Sequence, residues 1–308
     1  MSTSVQVDGI TLGVRQGKTL VQDVSFSLSG GSRTALVGES GSGKSLTVLA
    51  IAGLLPQAVE QRGGGIMMNG TNLQREAPAQ RRRRCGREIG VVFQEPMTAL
   101  NPVLRVETQL LEARARRKGA VCDVAWCNDA LAAMQLEDPT RVRRAWPHEL
   151  SGGMRQRVLV AMALAAEPGL VLADEPTTAL DPLTRRTVLQ RLSMEAKRGA
   201  AVLLVTHDLS SMPSWADQVV VLRAGRVCEA GPALLVLQSP MHPYTQGLLQ
   251  CTPTTSCKRP LVELEAMDDG ETLSQSIEGQ GLPWWPGRSG YALVELADGR
   301  QVGISSEP

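Results

Sequence analysis

The eight residues from 38 to 45, Gly-Glu-Ser-Gly-Ser-Gly-Lys-Ser, constrain the fold of this 308-residue chain more than any other segment. They follow residues 33–37, which have the composition of a short buried strand. They lead into residues 44–55, whose composition predicts a helix that ends at Pro56. Glycines at this spacing let backbone amides turn inward around an anion, and the positive end of the following helix points at the same place. The segment therefore predicts a phosphate-binding loop between a strand and a helix.

This phosphate loop, residues 38–45, predicts that the chain binds ATP with Mg²⁺. The Lys44 ammonium is suited to the β- and γ-phosphates, and the Ser45 hydroxyl is suited to Mg²⁺. We expect nucleotide contacts from all eight residues of the loop: Gly38, Glu39, Ser40, Gly41, Ser42, Gly43, Lys44 and Ser45.

Two adjacent carboxylates follow a second apolar run, residues 170–173. Asp174 is placed to hold Mg²⁺, and Glu175, one residue later, is placed to orient or deprotonate an attacking water. Alone, such a strand end is also typical of two surface acids. Beside a complete phosphate loop, we interpret the pair as the metal ligand and the catalytic base.

The segment Leu-Ser-Gly-Gly-Met-Arg-Gln, residues 150–156, resembles the LSGGQ signature of ABC ATPases, with Met154 in place of the usual glutamine. A serine and two glycines at a helix start offer a hydroxyl and open amides, which together can bind an anion. In isolation the segment would be an ordinary capped helix. The resemblance implies that Ser151, Gly152 and Gly153 contact nucleotide.

Three single residues complete the resemblance, and their roles are those that the family implies. Gln94 follows an apolar run as the Q-loop glutamine does, Asp181 resembles the D-loop aspartate, and His207 resembles the switch histidine. Gln94 and His207 are therefore expected to act with Glu175 in catalysis, Gln94 also to contact the metal ion, and Asp181 to lie at the nucleotide.

The resemblance spans residues 5–253 and implies an α/β fold of the P-loop NTPase class. Strands that alternate with helices predict a mostly parallel sheet with helices on both faces. We expect an antiparallel β subdomain near the start, a helical subdomain inserted at residues 95–150, and a loop at Gly63–Gly65. Residues 1–253 would form the ATPase domain, and residues 254–308 an appendage with a small hairpin around Asp298–Gly299.

Shorter segments of the sequence resemble one branch of this family, the importers of peptides, nickel and opines. Residues 95–102 and 242–249 resemble segments of that branch, and residues 43–47 and 151–154 resemble its nickel-type D subunit. The resemblance implies two integral-membrane permease subunits, a paralogous ATPase partner (a homodimer is the alternative) and an extracytoplasmic solute-binding protein. Nickel, a metal–opine complex and a di- or oligopeptide all stay open as cargo.

Charge and hydropathy indicate where in the cell the chain is located and which partners it has. The formal net charge is +1, and no stretch reaches the roughly 18 apolar residues of a membrane span. The N-terminus does not have the pattern of a secretory signal. We expect a peripheral protein on the cytoplasmic face of the inner membrane that binds no nucleic acid. The run of four arginines at 81–84 is interpreted as a solvated loop face.

Three features depart from the family. Residues 11–17 hold no aromatic side chain for adenine, and Val14 takes that place, which predicts a modest affinity for ATP. Cys251 and Cys257 lack the motif of an iron–sulfur cluster, so no cluster is expected. Trp284 and Trp285 are expected to pack against the core, with contact to a partner as the alternative.

Two other classes of protein compete with a transporter subunit. A non-transport ABC ATPase of DNA repair or translation shares the core, but it would carry a long coiled-coil insertion or a second fused core. A plain P-loop switch or kinase would leave residues 150–156 and His207 unexplained.

Overall fold

A computed structural model describes residues 3–93, 99–178, 180–250 and 291–305 of the chain. Ten α-helices and twelve strands lie within this part. The helices are α1 Lys44–Ala52, α2 Pro78–Arg84, α3 Val106–Arg114, α4 Val124–Ala132, α5 Pro139–Arg144, α6 Gly152–Leu164, α7 Pro182–Lys197, α8 Met212–Trp215, α9 Ala233–Gln238 and α10 Pro243–Gln250. The strands are β1 Ser4–Val14, β2 Thr19–Ser29, β3 Arg33–Val37, β4 Val59–Met68, β5 Thr71–Asn72, β6 Ile89–Val92, β7 Leu170–Asp174, β8 Ala201–Val205, β9 Gln218–Arg223, β10 Arg226–Pro232, β11 Tyr291–Glu295 and β12 Gln301–Ser305.

The strands form two sheets. The larger has the order β11-β12-β10-β9-β3-β8-β7-β6, and the smaller has the order β2-β1-β4-β5. Within the larger sheet, β9, β3, β8, β7 and β6 pair in parallel, whereas β10, β12 and β11 extend it in antiparallel fashion. The expected α/β class, with a mostly parallel sheet beside an antiparallel subdomain, is confirmed.

The central strands are apolar on both faces because both faces are covered. Leu36 of β3 and Leu172 of β7 pack with α1 and the small antiparallel sheet. Ala35 and Val171, one residue earlier in each strand, pack with the helices of the opposite face. This alternation holds β3 and β7 rigidly, so the residues that follow them are fixed in space.

Three helices, α3 to α5, lie between β6 and α6, within the expected insertion. Leu110, Leu131 and Val142, one from each helix, are at most 1% exposed and share a core with Val158 of α6. Residues 95–98, where the insertion was expected to begin, lie outside the described residues. So does the expected appendage boundary at 253.

Two boundaries differ from expectation. Helix α1 ends at Ala52, three residues early, because Gly53 adopts a left-handed conformation with φ of 72° and closes the helix. The expected loop at residues 63–65 was wrong, because these glycines lie inside β4. A Cβ on Gly64 would meet the Gly9 carbonyl oxygen at 2.2 Å, so glycine here serves the close approach of β4 to β1.

The arginine run lies in helix α2 and not in a loop, and its expected solvation was wrong for two of the four arginines. Arg81 donates to the carbonyl oxygens of Leu73 and Gln74 at 2.7 and 2.6 Å. Arg84 pairs with Glu76 at 2.6 Å. These guanidinium groups therefore close the turn that precedes α2, and of the four arginines only Arg82 and Arg83 are exposed.

β11 and β12 pair antiparallel in the region where a C-terminal hairpin was expected. This hairpin does not stand apart, because Val302 and Gln301 of β12 pair with Glu229 and Ala230 of β10. The hairpin thus extends the main sheet.

Candidate functional site

The phosphate loop connects β3 to α1 at one edge of the parallel sheet. Lys44 is 5% exposed, and its Nζ donates to the carbonyl oxygens of Gly38 and Glu39 at 2.8 and 2.6 Å. Burial lowers the pKa of Lys44, an effect opposed by the nearby carboxylates of Glu175 and Asp174. The ammonium therefore sits in a cage of neutral oxygens that a charged phosphate can replace.

Two glycines of the loop have conformations that exclude a side chain. At Gly38, a Cβ would lie 2.0 Å from the Leu222 carbonyl oxygen. At Gly43, φ is 100° and a Cβ would lie 2.8 Å from Cγ2 of Val21. Gly43 also precedes α1 without any side-chain cap on the first amides of the helix. These amides are available to an anion.

Asp174, the last residue of β7, reaches across to the first turn of α1. Its Oδ1 accepts a hydrogen bond from Ser45 Oγ at 3.1 Å. Asp174 is 8% exposed, and burial raises its pKa. A hydroxyl and a carboxylate side by side form an all-oxygen donor pair, which is the chemistry that Mg²⁺ prefers.

Glu175 follows Asp174 in a left-handed conformation with φ of 46°. Its backbone amide donates to the Val205 carbonyl at 3.0 Å, so the strained residue is tied to β8. Its Oε2 accepts from Thr178 Oγ1 at 2.9 Å and lies 3.5 Å from Nδ1 of His207. The His207 side chain is 63% exposed, so its imidazole faces solvent at the carboxyl end of the parallel strands.

Ser151 and Asp181 occupy a second region, where each caps a helix. Ser151 Oγ accepts from the Met154 amide at 3.3 Å, and Asp181 Oδ1 accepts from the amides of Leu183 and Thr184 at 3.0 Å each. The Thr184 amide is the main cause that lowers the pKa of Asp181. Both residues line one cavity of about 480 Å³.

The two glycines after Ser151 differ in their surroundings. A Cβ on Gly152 would meet nothing within 4 Å, so this side of the helix start is open. A Cβ on Gly153 would lie 3.8 Å from Thr184 Cγ2, which is an ordinary packing distance. The open approach at Gly152 leaves room for a group from outside the chain.

The structure thus brings together Ser45 with Asp174, Glu175 with His207, and Ser151 with Asp181. Gln94 lies outside the described residues. Ser40 and Gly41 are exposed at the tip of the phosphate loop.

Two site contacts were not anticipated from the sequence. Thr178 holds the Glu175 carboxylate, and the Tyr244 hydroxyl accepts from the Glu39 amide at 3.0 Å. Tyr244 lies in residues 242–249, a segment used above only to assign the branch. A tyrosine within a segment typical of that branch is the sequence feature from which a role for Tyr244 could have been predicted.

Val14, expected in place of an aromatic residue, is the last residue of β1 and is half-buried. Its carbonyl oxygen accepts from Nη2 of Arg62, which also donates to Gly17 at 3.0 Å. Arg62 therefore braces the turn between β1 and β2.

Within the described ranges, the helices are all too short or too polar to cross a bilayer. In the same ranges, no three or more His, Cys, Asp or Glu side chains are grouped as a metal site would need. The Ser45–Asp174 pair is a smaller donor set of the kind that Mg²⁺ uses together with water and phosphate.

Comparison with known proteins agrees with this geometry. The family model described as "ABC transporter" matches residues 21–178. The dipeptide transport ATP-binding protein DppD of Escherichia coli (strain K12) is 40% identical over 297 residues, which cover 91% of this chain and 89% of that protein. The oligopeptide transport ATP-binding protein OppD of Haemophilus influenzae is 40% identical over 239 residues, which cover 76% and 73%.

Solved structures give the same result. The dimeric ATP-binding cassette MJ0796, in a post-hydrolysis state bound to ADP and Pi, superposes with a TM-score of 0.66 at 26% identity and covers 74% of this chain and 98% of its own. An ATP-binding subunit of an ABC transporter superposes with a TM-score of 0.64 at 30% identity, covering 74% and 89%. The chain belongs to the ABC transporter family, as an ATP-binding subunit of the branch that contains the peptide importers, and it is an ATPase.

Proposed function

We propose that this chain hydrolyses ATP to drive the uptake of a di- or oligopeptide through a membrane permease. The observation that carries the proposal is the contact between Ser45 of the phosphate loop and Asp174 of β7, with Glu175 immediately beyond it. These groups lie where a triphosphate held by Lys44 would meet a water molecule held by Glu175.

The residues present fit a bound magnesium ion. Ser45 and Asp174 would hold it, and Gln94 is expected to join them. When bound, Mg²⁺ neutralises charge on the phosphates. Because Asp174 is buried beside a second carboxylate, a cation there also removes the electrostatic cost of keeping both acids ionised.

Glu175 is the residue that we assign to the attacking water. Thr178 and the backbone bond to Val205 fix its position, and His207 lies on the same carboxylate oxygen. His207, together with Gln94, would then report the presence of the γ-phosphate to the surrounding loops. The barrier falls through orientation and charge stabilisation, without a covalent intermediate.

The second region, with Ser151, Gly152, Gly153 and Asp181, is assigned to the nucleotide of a partner ATPase subunit. Supporting this, similar cassettes are described as dimeric, and the approach to Gly152 is open. Two ATP molecules would then lie between two subunits. We propose a paralogous partner, with a homodimer as the alternative.

Relatives support a peptide as the cargo. Three relatives at 40% identity are named for transport of dipeptides, of D,D-dipeptides (as probable) and of oligopeptides. The similarity of residues 43–47 and 151–154 to a nickel-type subunit has no support from the names of these relatives. An opine cargo has no such support either. Two permease subunits and an extracytoplasmic solute-binding protein would complete the importer, with this chain at the cytoplasmic face of the inner membrane.

The test is Glu175→Gln in the transporter reconstituted with its permease subunits. We expect ATP turnover to fall on the order of 10²-fold or more, because the base is lost, while ATP binding persists. Phosphate release and nucleotide binding are measured on the same preparation. Glu295→Gln, an exposed glutamate of β11, is the control. Unchanged turnover would remove Glu175 from its role.

Cargo and class are tested separately. Uptake of a labelled dipeptide, of Ni²⁺ and of a nickel–opine complex into proteoliposomes distinguishes the three cargoes, and we expect transport of the dipeptide alone. Affinity purification of the tagged chain from membranes is expected to retain an integral-membrane partner. A chain that instead co-purified with ribosomes or DNA would be a non-transport ABC ATPase.

A further inference from the structure

The mechanism above leaves one buried cluster unused, and it contacts the phosphate loop directly. Tyr244, in the first turn of α10, is fully buried, and burial raises its pKa to about 12, so its hydroxyl stays protonated. Its hydroxyl oxygen accepts from the Glu39 amide at 3.0 Å. The Arg223 guanidinium lies 5.1 Å from the centroid of its ring.

The peptide group between Gly38 and Glu39 is held at both ends. Its N–H donates to Tyr244, and its carbonyl oxygen, that of Gly38, accepts from Lys44 at 2.8 Å. A peptide group is planar, so fixing the N–H direction also fixes the direction of the carbonyl. Tyr244 therefore sets the orientation of an oxygen that holds the Lys44 ammonium.

We propose that Tyr244 is a positioning residue for nucleotide binding, which acts by holding the first peptide group of the phosphate loop. The loop has a second anchor at its other side, where the Gly225 amide donates to the Ser42 carbonyl oxygen at 3.0 Å. Between the two anchors, the Ser42 amide donates to the Glu39 carbonyl oxygen at 3.2 Å. Without the Tyr244 hydroxyl, the first peptide group of the loop loses its hydrogen bond to α10.

The position of Tyr244 is itself fixed by a buried carboxylate. Glu229 of β10 is fully buried and accepts from the amides of Met241 and His242 at 3.1 Å each. Nδ1 of His242 in turn accepts from the Tyr244 amide at 3.0 Å. These bonds define the start of α10 and aim the tyrosine at the loop.

The C-terminal hairpin closes the cluster from outside. Arg300 donates to the Ser239 carbonyl oxygen at 2.6 Å, and its Nη1 lies 3.9 Å from Oε1 of Glu229. A continuous set of polar contacts thus runs from the hairpin through Glu229 and the start of α10 to the phosphate loop. The inference deepens the proposed function, because it rests on ATP binding at this loop.

The first experiment is Tyr244→Phe, which removes the hydroxyl and keeps the ring. A hydrogen bond of this kind contributes about 0.5–1.5 kcal/mol net, so we expect the Kd for ATP with Mg²⁺ to rise about 2- to 12-fold. In the assembled transporter the KM for ATP should rise by the same factor, with kcat within about twofold. A residue that only supported packing would lower the thermal unfolding midpoint and the active fraction without changing KM.

The matched control is Thr34→Val, which removes the buried hydroxyl of a β3 residue that is 1% exposed and lies outside this cluster. Its affinity for ATP is expected to equal that of the wild type. A wild-type Kd in Tyr244→Phe, or an equal weakening in Thr34→Val, would overturn the proposal. Failure of the wild type itself to bind ATP would instead defeat the proposed function.

A second measurement does not depend on the variant folding. Hydrogen exchange at the Glu39 amide of the nucleotide-free wild-type chain reports the bond directly, and we expect protection relative to the amide of Ser40, an exposed residue. Exchange of Glu39 at the rate of Ser40 would show that the tyrosine does not hold the loop.

Discussion

The N-terminus of α1 and those of α6 and α7 use their polar groups in opposite ways. Helix α1 follows Gly43 and has no side-chain cap, so its first amides point at the phosphate loop. Helices α6 and α7 are preceded by the capping residues Ser151 and Asp181, whose side chains accept hydrogen bonds from amides of the first turn. The first region is prepared for an anion, whereas in the second a side-chain oxygen of the same chain already occupies some of the first-turn amides.

This difference predicts which of the two regions contributes more to the free energy of ATP binding. At α1, phosphate replaces the neutral carbonyl oxygens that Lys44 contacts, and the gain is large because the new partner is charged. At α6, phosphate must share amides with the Ser151 hydroxyl, so the gain is smaller. The isolated chain should therefore bind ATP through the α1 region, and the α6 region should contribute only when a partner subunit presents its nucleotide.

Replacement of Lys44 by methionine gives the largest expected effect and would break the comparison most directly. We expect ATP binding to weaken on the order of 10²-fold, because a charge-assisted contact of about 3 kcal/mol is lost. The free energy of unfolding without nucleotide should not fall, since burial already lowers the pKa of Lys44. Isothermal titration and urea denaturation measure the two effects, with exposed Lys197→Met as the control.

Two outcomes would contradict that expectation. Binding close to that of the wild type would show that the loop amides hold the phosphates alone. A large loss of stability would show that the cage around Lys44 is structural.

Ser151→Ala tests the comparison at the N-terminus of α6. Loss of the cap should lower the free energy of unfolding by about 1 kcal/mol. The affinity of the isolated chain for ATP should not change, because Ser151 caps α6 and not α1. Urea denaturation and nucleotide titration test the pair of expectations, and Ser151→Asp, which keeps a capping oxygen, should retain stability. Weakened ATP binding by the isolated Ser151→Ala chain would place the two regions at one nucleotide.

Val14→Tyr adds binding free energy at the α1 region alone. An aromatic partner for adenine contributes about 0.5–1.5 kcal/mol, so affinity for ATP should improve about 2- to 12-fold. Inorganic triphosphate has no base, and its affinity should not respond. Equal affinities of wild type and variant for ATP would end the interpretation that Val14 replaces a stacking residue.

Asp174→Asn gives the smallest expected effect on stability. The pKa of Asp174 is raised by burial above its value of 3.8, so the folded state binds the proton more tightly than the unfolded state. Wild-type stability should therefore fall, relative to the variant, as pH rises through the folded pKa. At pH 7 the nucleotide-free variant should melt about 1 °C higher, near 0.5 kcal/mol. A melting difference that did not change with pH would assign the raised pKa to another group.

The sequence predicted the strands and helices that flank the motifs because the alternation of apolar residues is local information. It failed at residues 63–65, since three glycines are typical of a loop and only the nearness of Gly9 explains them in a strand. It missed the contact between Glu39 and Tyr244, because these residues are 205 positions apart. Motif order supplied the candidate site residues as predictions, whereas the helix caps and the anchors of the loop needed coordinates.

The hairpin of β11 and β12 has a consequence for how the chain behaves in a crowded solution. Its pairing with Glu229 and Ala230 satisfies backbone groups that β10 would otherwise expose as an edge strand of the sheet. Exposed edge strands pair with strands of neighbouring molecules. A chain truncated after α10 would therefore expose a template for self-association, and its insolubility should not be mistaken for a loss of ATP chemistry.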